Sequence, residues 1–122
     1  MKENERTLTE DLLARAAEDW VSAAEVIDVV RRSGLTEPAD LRDLSVGLIA
    51  RLLAQDLVVA GDISDRGHVP WSITPGEAVL RIAALWARMD DPFVMPGQIV
   101  WLDTTATGQE IGEAVWRREE IE

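Results

Sequence analysis

The sequence predicts an α+β fold that is mainly helical and forms one domain over residues 1–122. Residues 40–63 have the pattern of an amphipathic helix that runs almost directly into a strand. Ser or Thr followed three residues later by Glu, the spacing of a helix-initiating capping box, recurs along the chain. Short aliphatic runs at residues 57–63 and 99–103 supply the two strands of a small antiparallel β-hairpin.

Two helices are predicted in the N-terminal third. The first begins after Thr7, which has a glutamate three residues on, and ends near Asp19. The second begins after Ser22, which has the same spacing to a glutamate, and ends at Gly34, a residue type that readily adopts the left-handed conformation found after helices. One continuous helix over residues 9–33 is the competing interpretation.

The central helix is predicted from a broad apolar stripe with three- and four-residue spacing. The stripe consists of Leu41, Leu44, Leu48, Ile49, Leu52 and Leu53. We expect the opposite face to be exposed, with Asp40, Asp43, Gly47, Ala50, Arg51 and Ala54. After Asp56 the pattern changes to that of a strand, so the helix is expected to pack back onto the strand that follows it.

Turn-forming residues at 64–67 precede a short extended piece at 68–73. A further helix is expected to begin after Thr74, which is followed by proline, and to stop before Pro92. The second strand follows at residues 99–102. The last helix carries Ile111, Val115 and Trp116, and we expect the tail RREEIE beyond it to be frayed.

Composition excludes several classes of protein. The chain has no cysteine, which rules out disulfides, thiolate catalysis and cysteine-based zinc sites. No apolar run approaches the roughly 20 residues of a membrane helix, and the start MKENERTLTE is too polar for a secretion signal, so we expect a cytoplasmic protein without membrane contact. Twelve Lys and Arg against 23 Asp and Glu residues give a net charge of −11, which repels polyphosphate.

The order of these elements resembles that of the winged helix-turn-helix superfamily. The resemblance implies a winged-helix-like core, and the step from the second strand into the last helix at residues 105–108 is similar to that of MarR and PadR regulators. Trp20 and Val21 then stand in the first short strand, residues 22–33 in the second helix, 40–55 in the recognition helix, and 57–63 and 99–103 in the wing strands.

Two features depart from the superfamily's pattern. Residues 64–98, with a whole helix, are inserted between the wing strands, where a short hairpin is usual. The recognition-helix position offers Arg42, Arg51 and Gln55 to DNA, but it also carries three aspartates, and no segment of the chain is basic. The sequence therefore does not favour DNA as a partner.

No pattern of catalytic, cofactor-binding or metal-binding residues is present, so we expect no enzyme activity and no cofactor. His68 is the only histidine and lies in a turn, which is typical of a packing or surface residue. The paired carboxylates at residues 90–91 and 119–120 are sequence neighbours, and neighbours on a helix do not face each other.

The five tryptophans are the compositional oddity, set against one phenylalanine. Trp86 and Trp101 are predicted to pack in the core, whereas Trp71 in the insertion and Trp116 in the last helix are expected to be exposed. Exposed tryptophan is enriched at protein interfaces. The predicted partner-binding residues are Trp71, Arg81, Arg88, Asp90, Asp91 and Trp116.

Two functions follow as hypotheses. The first is an acidic protein-binding module, of which an immunity protein that neutralises a basic, nucleic-acid-cleaving toxin is the most concrete version, because opposite charges steer association. The second is a winged-helix transcription regulator that binds DNA as a homodimer.

Overall fold

The computed structural model describes residues 5–121 and contains five α-helices and one sheet of four strands within them. This confirms the predicted, mainly helical α+β fold. No helix in residues 5–121 is both long and apolar enough to cross a membrane. In chain order the elements are α1 (Leu8–Glu18), β1 (Val21–Ser22), α2 (Ala23–Val30) with a 3₁₀ turn (Arg31–Ser33), α3 (Pro38–Ala54), β2 (Val58–Ser64), β3 (Gly67–Pro70), α4 (Pro75–Ala87), β4 (Trp101–Thr104) and α5 (Ala106–Glu120).

The predicted starts of α1, α2 and α4 are confirmed. Each start could be predicted because it depends only on a few neighbouring residues. Thr7 and Thr74 each accept a hydrogen bond from the backbone three residues on, and the glutamate there accepts one in return. Ser22 caps α2 through the backbone N–H of Glu25 at 3.4 Å. The strand β1 separates α1 from α2, so the continuous helix over residues 9–33 is wrong.

The sheet has the order β1-β4-β2-β3, with every neighbouring pair antiparallel. The two predicted strands do pair, with Val58 opposite Thr104. The tight hairpin, however, is formed by β2 and β3, and the sequence had predicted only an extended piece at the position of β3. The second strand also begins two residues later than expected, because Ile99 adopts a left-handed φ of 74° in the turn before it. The winged-helix resemblance rests on element order and stays a prediction.

The core combines α1, α2, α3, α4 and the inner face of the sheet. On α3 the predicted stripe is buried apart from Leu44, which is half-buried. Ser45 is also fully buried, and its hydroxyl donates to the Leu41 carbonyl at 2.7 Å. Helix α4 contributes Ala78, Ile82 and Trp86 to the same cluster, so the segment 64–98 shares the core of the rest of the chain.

Helices α1 and α5 approach each other unusually closely. A Cβ added at Gly112 would lie 2.3 Å from the Leu13 carbonyl oxygen and 2.7 Å from the Ala17 Cβ. The expected frayed tail is wrong for residues 117–120, because α5 continues to Glu120 and its last turn binds Arg6 and Glu10. Glu122 of that tail lies outside the described residues. Of the residues that this helix carries, Val115 is buried, whereas Ile111 is 37% exposed.

Candidate functional site

Trp71 is held in place on three sides. Its backbone N–H donates to the Ala60 carbonyl at 3.0 Å, which continues the β2–β3 ladder past Pro70. Its indole N–H donates to an Asp62 carboxylate oxygen at 3.0 Å, and the Arg81 guanidinium lies 3.9 Å from the ring centroid. The ring is half-buried. The side chain is therefore oriented before any partner arrives.

A groove of about 190 Å³ lies beside Trp71, between the end of α3, the strand β2 and the first turn of α4. We call it the Trp71 groove. Its lining is mostly aliphatic, and Ile73 on its wall is 38% exposed. The residues that line it are Leu53, Asp56, Val58, Val59, Ala60, Trp71, Ile73, Thr74, Pro75 and Ala78.

Carboxylates lie at the margin of this groove. Asp56 is an exposed lining residue and has a positive φ of 55°, which turns the chain between α3 and β2. Asp62 is also exposed and keeps its hydrogen bond to Trp71. A binding partner with an aliphatic side chain next to a cationic one would match this surface. Its aliphatic side chain would occupy the groove, and its cationic side chain would meet a carboxylate.

Of the predicted partner-binding residues on α4 and just after it, the structure places only Arg81 against Trp71. Arg81 stacks on the ring, whereas Arg88 lies two turns further along the helix. Asp90 and Asp91 follow the helix end, and an Asp91 carboxylate oxygen accepts from the Phe93 N–H at 3.0 Å. Arg88, Asp90 and Asp91 are all exposed, so they extend the surface away from the groove without lining it.

The expected exposure of Trp116 at a frayed helix end is corrected by the structure. Its indole N–H donates to the Ala14 carbonyl of α1 at 2.8 Å, and the Arg6 guanidinium lies 4.5 Å from its ring centroid. The ring is half-buried in the contact between α1 and α5. Trp116 therefore contributes to helix packing, and the structure does not bring it to the Trp71 groove.

Arg6 belongs to a buried ionic cluster that sequence reasoning missed. Arg6 binds Glu119 with two hydrogen bonds of 2.6 Å and donates to Asp11 at 3.0 Å. Asp11 has no exposed side-chain area and also accepts from Arg15 at 3.2 Å and from Arg32 at 2.8 Å. The carboxylate of Asp11 thus faces three guanidinium groups.

The cluster shifts the pKa of its members in opposite directions. Burial pushes the pKa of the Asp11 carboxyl upward, but Arg15, Arg32 and Arg6 together outweigh burial and hold that pKa below its usual value. The hydrogen bonds from Arg6 lower the pKa of Glu119, and the bond to Glu119 raises the pKa of Arg6 against the effect of burial. All three groups are charged at neutral pH.

Most carboxylates of the described residues are exposed and lie outside this cluster. Arg6, Arg15 and Arg32 bind Asp11, Arg6 also binds Glu119, and Arg118 binds Glu10 at 2.8 Å. These contacts join four arginines to three carboxylates, so the accessible surface keeps the acidic character given by the net charge of −11.

His68 is in a packing role. Its Nε2 donates to the Trp101 carbonyl at 2.9 Å, across β2 from its own strand. Within residues 5–121 no group of three His, Asp or Glu side chains is arranged to hold a metal ion.

Asp56, Asp62 and Ile73 belong to the candidate site and were not predicted. A signal was available for Asp56, because an aspartate between a helix and a strand tolerates the left-handed conformation better than most residues. The roles of Asp62 and Ile73 depend on the β2–β3 register, which the sequence did not reveal. Searches against protein-family models, curated proteins and solved structures found no match to the chain.

Proposed function

We propose that the protein is an acidic protein-binding module that engages a basic protein partner at the Trp71 groove. The observation that carries the proposal is a fixed, half-buried tryptophan beside an aliphatic groove with exposed carboxylates. Aromatic residues in such settings supply most of the energy of protein interfaces. A side chain that is already oriented loses little entropy on binding, so more of the contact energy becomes affinity.

The acidic surface supports a basic partner in particular. A net charge of −11 accelerates encounter with a cationic protein and repels anionic ones. An immunity protein that neutralises a basic, nucleic-acid-cleaving toxin is the concrete version of this proposal, because surface carboxylates can take the place of nucleic-acid phosphates in such a toxin's binding site.

A winged-helix regulator that reads DNA as a homodimer is the alternative function. The succession of α2, α3 and a strand that pairs with β4 favours it. The exposed face of α3 opposes it, since Asp40 and Asp43 lie there beside Arg51. Non-specific duplex binding is expected to be weaker than the usual range of roughly 10⁻⁴ to 10⁻⁶ M at physiological salt, and submicromolar retention in a titration would favour the regulator instead.

The direct test is a binding titration with the basic protein encoded by a neighbouring gene. Trp71→Ala should weaken the complex by about 2 kcal/mol or more, which is roughly a 30-fold rise in Kd. Asp56→Asn should mainly slow association at low salt. Asp40→Asn, which removes the same charge from an exposed position on α3, is the matched control and should slow association less.

Two results would reject the proposal. One is a complex whose affinity is the same with Trp71→Ala as with the wild-type chain, provided that the variant is folded. The other is equal effects of Asp56→Asn and Asp40→Asn on the association rate, because the groove would then have no special place in the acidic surface.

A further inference from the structure

The outer face of α4 carries an apolar surface that is separate from the Trp71 groove. Leu80 is 73% exposed, and Ala84 and Ala87 on the same side of the helix are exposed as well. Successive residues of an α-helix are rotated by about 100°, so Leu80 lies about 200° around α4 from Ala78, which lines the Trp71 groove. The two surfaces can therefore be occupied at the same time.

A second, larger groove lies between α3 and α4, on the side of α4 that also carries Leu80. Its volume is about 450 Å³, and its apolar part, formed by Val46, Gly47, Ala83 and Ala87, lies beside the Arg42–Asp43 ion pair. A Cβ at Gly47 would meet no atom within 4 Å in the described structure, so α3 presents a depression in this groove. A projecting aliphatic side chain beside an apolar depression is a surface that can fit a copy of itself, as a two-fold interface requires.

The charges on α4 indicate the orientation of such a pair. Glu77 lies in the first turn of α4 and Arg88 at its C-terminal cap, and both are exposed. Eleven residues separate them, which is close to three full turns, so they lie on the same side of the helix. In an antiparallel pair related by a two-fold axis, Glu77 of each copy lies opposite Arg88 of the other.

We propose that two copies of this chain associate through the outer faces of α3 and α4, with the two α4 helices antiparallel. The crossing point lies midway between Glu77 and Arg88, near Ile82 and Ala83, so Leu80 of each copy lies between Ala84 and Ala87 of the other. Opposed helix dipoles and two Glu77–Arg88 ion pairs favour this arrangement over a parallel one. The proposal goes beyond the proposed function and does not depend on the Trp71 groove.

The expected dimer is weak. Helix α4 has 13 residues and is about 20 Å long, so the contact falls near the lower end of the size range for specific interfaces. Each copy also carries a charge of −11, although physiological salt screens charges more than about 8 Å apart. Dissociation constants in the micromolar range are therefore expected.

Sedimentation velocity of the intact chain between about 1 and 200 µM at physiological salt tests the proposal. The wild-type protein should shift from monomer to dimer over this range. Leu80→Asp, a change at an exposed position that leaves the core intact, should raise Kd at least about tenfold. Trp71→Ala should leave the dimer unchanged.

Charge reversal followed by mixing gives a test that a purely structural effect cannot imitate. Glu77→Lys also removes the hydrogen bond that the Glu77 carboxylate accepts from the Thr74 N–H, but only restored ion pairs can recover a dimer in the mixture. Glu77→Lys alone and Arg88→Glu alone each place like charges opposite each other and should be monomeric. An equimolar mixture of the two variants restores both ion pairs and should form a heterodimer. A wild-type monomer at about 200 µM, a dimer that persists in both single variants, or a mixture that stays monomeric would overturn the proposal.

Discussion

Trp71 and Trp116 have nearly the same local chemistry but lie in different kinds of surroundings. Each ring is half-buried, each is covered by a guanidinium, and each indole N–H donates a hydrogen bond. Above Trp116, Arg6 is buried and bound by Glu119 and Asp11. Above Trp71, Arg81 is exposed, and the ring lines a groove.

The difference teaches that the neighbouring elements decide the role of a tryptophan. Around Trp116 the charged groups of Arg6, Asp11 and Glu119 are bound to one another, and the two Arg118 nitrogens without a partner in the described residues are buried, so the region has little left to offer a partner. At Trp71 the polar contacts fix the ring while leaving the aliphatic groove open. We therefore expect the α1–α5 region to support stability, and the Trp71 groove is the region that we propose for binding.

Asp11→Asn should produce the largest loss of stability. Arg6, Arg15 and Arg32 would keep their charges around a neutral side chain, and breaking a buried ion pair in this way costs about 3 to 5 kcal/mol. The free energy of unfolding from urea denaturation measures this. Asp28→Asn, at an exposed position on α2, should change stability by less than about 0.5 kcal/mol. A loss at Asp11 as small as that at Asp28 would mean that the cluster is not structural.

The next largest effect separates the two tryptophans directly. Trp116→Ala should destabilise the chain by about 2 to 4 kcal/mol, because it opens a cavity between α1 and α5 and frees the Ala14 carbonyl. Trp71→Ala should cost less than Trp116→Ala in the same urea titration. The reverse order would contradict the assignment of the two regions.

Gly112→Ala tests the close approach of α1 and α5. The added Cβ has no room next to the Leu13 carbonyl, so the helices must separate at a cost of about 1 to 3 kcal/mol. Gly47→Ala is the matched control, because a Cβ there meets no atom within 4 Å in the described structure. That control should stabilise the chain by about 0.4 to 1 kcal/mol. Equal thermal midpoints for the two variants would refute the close-contact account.

The smallest expected effect is the change of the free energy of unfolding with pH, which is small near neutral pH. The pKa values of Asp11 and Glu119 are lower in the folded state than in the unfolded chain, so their stabilisation is complete above the ordinary carboxyl range. It is lost as pH falls below about 4. Glu25 acts in the opposite direction, since burial raises its pKa. Urea titrations from neutral pH to pH about 3 should show this loss as a fall in the free energy of unfolding. In the Asp11→Asn variant the free energy of unfolding should depend less on pH. An equally steep curve in that variant would assign the acid response to other carboxylates.

The local parts of the fold could be predicted from the sequence, because the deciding residues are neighbours along the chain. Thr7, Ser22 and Thr74 cap helices within three residues, and the stripe on α3 follows helical periodicity. The extended piece at residues 68–73 was predicted, but its pairing with β2 was not, because the four residues of β3, including Gly67 and Pro70, carry no local signal for a partner strand.

The environment of the two tryptophans depends on contacts between distant residues. Arg6 and Glu119 lie 113 residues apart, and no local pattern links them. Arg32 follows α2, yet its side chain donates to Asp11 of α1, 21 residues away. The Trp71 groove likewise combines the end of α3, a strand and the start of α4. Trp71 was named from the sequence, but the groove beside it was not.

An NMR titration of the indole N–H signals tests most directly whether the Trp71 groove is the binding region. The chain has five tryptophans, so the signals of Trp71 and Trp116 can be identified by substitution. The probe is a short peptide with one leucine between arginines, and the control peptide has serine in place of leucine. The proposal predicts a change in the chemical shift of the Trp71 indole N–H that is larger with the leucine peptide than with the serine peptide. The chemical shift of the Trp116 indole N–H should not change. Identical responses to both peptides, or a larger shift at Trp116, would contradict it.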